Sequence, residues 1–207
     1  MIIRDYFPTA AKEVGEIAGA AASADLTAPT PCTEFDLKTL INHVIGTTGA
    51  LAAVGRRDEL DADDPYGTAN DATGGDWSGR LAESATALAD VWSRPEAWDG
   101  TVSMTGQEMP ATLIGEMSMA EMLLHGWDLA RATGQQLTIP DDVGGELLRH
   151  IDETAQWGRS MGAYGPQVAV EGPSGATAFV RALAASGRNP AWTAPTRKGG
   201  SRKGGRR

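Results

Sequence analysis

Apolar residues recur along this chain at the three-and-four spacing of helices almost throughout. Val14, Ile17, Ala18 and Ala21 predict an amphipathic helix over about residues 5–23. After the proline-broken stretch LTAPTPCTEFD, where Thr33 or Asp36 can cap, Leu40, His43, Val44, Thr47 and Leu51 form the stripe of a second helix over about 36–55. Leu81, Leu88, Val91 and Trp92 mark a third over about 77–93, stopped by Pro95. The segment GTVSMTGQEMPA at 100–111 predicts a short hairpin around Gly106, and a fourth helix then runs from about 112 to its C-cap at Gly134. A fifth helix is expected over about 141–157 and a short sixth in GATAFVRALAASG. The whole predicts an all-α protein: a four-helix bundle over 1–135, a mainly helical C-terminal extension over 136–192, and a disordered basic tail over 193–207.

The fourth helix carries a conflict. Met117, Met119, Ala120, Met122, Leu123, Leu124, Trp127, Leu129 and Ala130 leave it almost no face for water, yet Glu121, His125 and Asp128 interrupt the run. A helix apolar all round is normally buried, and an unpaired carboxylate there costs several kcal/mol unless it finds partners. Glu121 and His125, four apart, share one face and can bind one ion together. His43 comes from the inward stripe of a different helix, as in bundles that build metal sites from facing side chains. Two imidazoles and one carboxylate suit catalytic zinc, and the same set suits iron(II). Asp128, three beyond His125, can accept from an imidazole N–H, orient a metal-bound water or handle protons; pairing with Arg131, or with a Lys or Arg elsewhere, on a partly exposed helix end is the alternative. From spacing alone, a hydrogen-bonded interior pair without metal satisfies Glu121 and His125 equally well. His150, among charged neighbours, is expected at the surface, a substitute ligand only if His43 faces outward.

Composition narrows the choice. The single cysteine, Cys32, excludes an internal disulfide and a zinc ribbon, and its acidic and proline neighbours predict no reactive thiol. Net charge is −9 with six basic residues gathered in TRKGGSRKGGRR at 196–207, so the remainder carries −15 and nucleic acid is disfavoured as the main partner. The tail is expected to be solvated, with at most weak contact to RNA, DNA or an anionic surface. Residues 58–76 hold seven acids and no base, a long solvated loop that lacks the ligand order of a calcium site. The charged N-terminus lacks a signal-peptide core, and no stretch approaches a membrane span, which predicts a cytoplasmic protein, monomeric or homodimeric.

PTPCTEFDLKTLINHVIG followed by EMLLHGWDLARATGQ resembles the metal-binding DinB-like family of actinobacterial proteins that includes the N-terminal domain of mycothiol-dependent maleylpyruvate isomerase. Both halves of the family pattern are present: a Pro-Cys segment opening a helix that carries His, then Glu-x-x-x-His-Gly-Trp-Asp-Leu-Ala. The resemblance implies a four-helix bundle whose divalent metal, usually zinc, is held by His43, Glu121 and His125. It also implies mycothiol, a low-molecular-weight thiol, as co-substrate of a transferase or isomerase acting on an electrophile. The isomerase has a longer C-terminal α/β domain, whereas here about sixty residues of helix and loop follow Gly134 before the basic tail. A metal-stabilised binding or sensing module is the non-enzymatic alternative.

Overall fold

The computed structural model of the protein describes residues 3–67, 71–170 and 176–195. A 3-10 turn at Ile3–Tyr6 leads into α1 (Phe7–Ala20), with proline in its first turn, where no backbone N–H is missed. The following helices are α2 (Leu37–Arg56), α3 (Trp77–Trp92), α4 (Ala111–Ala132), α5 (Asp141–Ser160) and the short α6 (Ala178–Ala185). Asp36 caps α2 by accepting from Thr39 N–H at 2.8 Å, and Asp76 caps α3 by accepting from Gly79 N–H at 2.9 Å. Strands β1 (Thr101–Met104) and β2 (Gln107–Pro110) form the expected hairpin, antiparallel with Val102 opposite Met109. Its two turn residues, Thr105 and Gly106, both have positive φ, as the tight two-residue turn requires.

α1 packs against α3 and α4, and α2 packs against the same two helices, so the circuit around the bundle is α1, α3, α2, α4. Phe7, Leu40, Leu51, Leu81, Leu88, Trp92, Ile114, Met119 and Leu123 fill its centre with almost no exposure. The C-terminal half of α4 is enclosed: from Ser118 to Ala130 every residue except Glu121 is buried. Its backbone lies close enough to α1 that a Cβ on Gly126 would stand 2.7 Å from Val14 Cγ2, so the glycine between His125 and Trp127 permits the approach.

α5 and α6 pack on each other, and Val143, Leu147, Ile151, Phe179 and Leu183 join the same apolar core as the bundle. His150 belongs to this inward face. It is 2% exposed, against the expectation of a surface residue, and its Nδ1 lies 3.1 Å from Glu116 of α4. The basic residues expected as a tail, from 196 on, lie outside the described residues, as do 68–70 of the acidic loop. Among the described residues no helix is long and apolar enough to cross a membrane.

Candidate metal centre

The loop before α2 sets one wall of the site. Leu37 and Lys38 N–H groups donate to Ala28 and Leu26 carbonyls, Pro29 bridges Asp36, and the Thr30 hydroxyl donates to the carbonyls of Cys32 and Phe35. This closed loop holds the Phe35 ring 5.1 Å from the His43 imidazole and 6.2 Å from that of His125, centre to centre. An aromatic face there limits water around both rings.

α2 and α4 bring His43, Glu121 and His125 together, with one donor atom from each lying within 4.8 Å of the others. His43 Nε2 is 3.3 Å and His125 Nε2 3.4 Å from the same oxygen, Glu121 Oε2. Both separations are long for hydrogen bonds. Two ligand atoms bound to one tetrahedral zinc lie about 3.3–3.4 Å apart, so these two imidazole–carboxylate separations fit a shared ion. The two imidazoles meet edge to face, 4.7 Å apart. The side chains of His43 and Glu121 keep 28% and 24% of their surface exposed, so one side of the cluster is accessible to a small molecule.

Beneath the cluster the polar groups are buried. His125 Nδ1 lies 3.0 Å from Asp128 Oδ2, and Asp128 has no exposed surface. Arg188, from the turn after α6, donates from Nε to both Asp128 oxygens at 3.1 Å and from Nη2 to Oδ2 at 2.7 Å. Burial alone would raise the Asp128 pKa; the Arg188 guanidinium and then the His125 imidazole hold it below the ordinary carboxylate range. The ionised carboxylate can only accept, so Nδ1 of His125 carries the donated hydrogen, and whenever the ring is neutral its lone pair is on Nε2, facing the cluster. Burial also opposes the charge on Glu121, and the two imidazoles override it, lowering its pKa. One guanidinium balances one of these two carboxylates. Glu121 therefore calls for a further positive charge, which a proton on an imidazole or a divalent ion supplies.

The two halves of the sequence motif thus supply all three donors and Asp128. Of the alternative partners, Arg131 instead donates to the Trp192 carbonyl, while an arginine elsewhere, Arg188, does pair with Asp128, in the interior and not at an exposed helix end. Two residues of the site went unread in the sequence: Phe35, which sits inside the quoted Pro-Cys segment, and Arg188, which no local pattern marks. Cys32 is partly buried beside this network, its thiol pKa raised first by burial and then by the Asp128 charge, so it is not a ready thiolate. His150 is not part of the donor cluster.

The sequence profile of the mycothiol maleylpyruvate isomerase N-terminal domain matches residues 7–130, which is more than half of the chain and includes His43, Glu121, His125 and Asp128. The chain belongs to that family. It is also similar to two uncharacterised proteins of Mycobacterium tuberculosis, one each from strains CDC 1551 / Oshkosh and ATCC 25618 / H37Rv. Each is 28% identical over 123 residues, covering 58% of this chain and 61% of the relative. The match thus spans under two thirds of the length of these curated relatives, and Arg188 falls outside the family-matched residues. No solved structure is significantly similar to the chain.

Proposed function

We propose that His43, Glu121 and His125 hold one divalent ion, zinc in the simplest reading, and that the protein binds a low-molecular-weight thiol of the mycothiol type there for transfer to, or isomerisation of, an electrophile. The observation that carries this reading is the convergence of both Nε2 atoms on one Glu121 oxygen at 3.3 and 3.4 Å. The family's link to a mycothiol-dependent isomerase supports the thiol. A bound divalent ion supplies Lewis acidity that lowers the pKa of a thiol placed against it.

The chain's own residues do the rest. Three protein ligands suit a catalytic site, since closed structural zinc sites generally have four. His125 is held in one orientation by Asp128, and Phe35 shields the imidazoles from water while the exposed edges of His43 and Glu121 admit the small molecule. Asp128 has no exposed surface and both its oxygens are engaged, so it acts by positioning His125.

The test is metal analysis of the purified protein followed by thiol titration of the cobalt-substituted form. One ion per chain and a thiol-induced change in the cobalt absorption support the reading. One ion with a spectrum that no small thiol perturbs leaves a metal-stabilised binding module in its place, and no ion at all overturns the metal assignment.

A further inference from the structure

Arg188 comes from beyond the family-matched residues, yet its side chain ends against the deepest part of the site. It is 7% exposed, and its Nη2 lies 3.3 Å from His125 Nδ1 as well as bonding Asp128. The arginine is itself fixed from behind. Its backbone N–H donates to the Leu183 carbonyl at 2.9 Å, closing the end of α6, and Nη1 donates to the Ser186 hydroxyl at 3.2 Å. Gly187, at φ 93°, turns the chain where it crosses Gly165 so closely that a Cβ would stand 2.6 Å from the Gly165 Cα.

Such a buried guanidinium differs from a surface ion pair. Its planar fork engages both oxygens of Asp128 and so fixes the carboxylate plane, which a single ammonium does not do. The orientation of that plane in turn sets the direction in which His125 is held. We propose that Arg188 is a positioning residue for His125, acting through Asp128, and that the turn following α6 is thereby part of the metal centre. This inference rests on the metal reading above.

The experiment measures the zinc Kd by competition with a chromophoric chelator, and the cobalt absorption spectrum, for the full-length wild type, Arg188→Lys, Arg188→Met, Asp128→Ala and the double variant Asp128→Ala/Arg188→Met. Circular dichroism confirms folding of each. Arg188→Met is expected to weaken zinc about 10- to 100-fold, the range for disturbing a partner of a ligand, and to alter the cobalt bands. Arg188→Lys should recover only part of the loss, because the charge returns without the fork. The double variant should bind zinc no more weakly than Asp128→Ala alone, since Arg188 acts only through that residue. A structural role of Arg188 independent of Asp128 would multiply the two losses, and this result overturns the proposal. So does wild-type affinity in both Arg188 variants. If Arg188→Met does not fold, Arg188→Lys and the comparison of Asp128→Ala with the double variant still decide. A wild type that binds no zinc fails the metal reading itself, whereas a zinc-binding wild type with unaffected Arg188 variants fails this inference alone.

Discussion

His150 Nδ1 lies 3.1 Å from Glu116 Oε2, tying α5 to α4 beneath the surface, while Arg149 reaches the other oxygen of the same carboxylate at 2.5 Å. Burial alone would raise the Glu116 pKa; His150 and Arg149 outweigh it and lower the value. A carboxylate depressed in the folded state contributes stability that is fully present above its unfolded pKa of about 4.3 and is lost as pH falls through the lower folded value. Glu116→Gln should therefore cost about 1.5–3 kcal/mol of stability at neutral pH for lost charge-assisted hydrogen bonds, read as a lowered urea midpoint. The variant should also lose less stability than wild type on acidification below about pH 4.5. Parallel acid dependence in the two proteins would count against the pairing.

His43→Ala, Glu121→Ala and His125→Ala should each weaken metal binding by more than about 100-fold, beyond the range seen for residues that only support a ligand. Cys32→Ser and His150→Gln should keep wild-type stoichiometry, since neither belongs to the donor cluster. Inductively coupled plasma analysis after dialysis against a weak chelator checks all five. Retention of metal by all three alanine variants would rule out the ligand set.

Asp128→Asn should also report on the fold. Removing one charge of a buried pair leaves the other uncompensated, at a cost of about 3–5 kcal/mol, and Arg188 is buried here. Replacing both, as in Asp128→Asn/Arg188→Met, should cost clearly less than the sum of the single changes. Chemical denaturation of the metal-free proteins measures the cycle; additive losses would show that the pair is not coupled.

Two adjacent glycines of α5 provide a contrast. A Cβ on Gly144 would stand 2.7 Å from the Phe179 backbone nitrogen, whereas one on Gly145 meets nothing within 4 Å. Gly145→Ala should stabilise by about 0.5–1 kcal/mol through helix propensity. Gly144→Ala should destabilise by about 1–3 kcal/mol by forcing α6 away. Thermal melts of the two variants should move in opposite directions.

The helices were readable because burial imposes a periodic pattern, and the hairpin because Gly106 supplies turn chemistry. The spacing of Glu121 and His125 placed them on one face, and the stripe of α2 turned His43 inward. His150 misled because its sequence neighbours are charged. On a helix, Arg149 and Glu153 can point to solvent while His150 and Ile151 continue the buried row begun by Val143 and Leu147. Arg188 was illegible for another reason. Its partner lies 60 residues away, and its burial depends on a chain crossing at Gly165 that no local pattern encodes.

His43 and Glu121 are separated by 78 residues, so no single helix or hairpin carries the three donors. A nascent or partly folded chain therefore cannot present the full set until α2 and α4 have docked, a non-local event that loop-closure entropy delays. An ion taken up after that event would arrive too late to guide folding. It would instead prolong the lifetime of the finished fold, because opening the bundle between these two helices would have to expel it first.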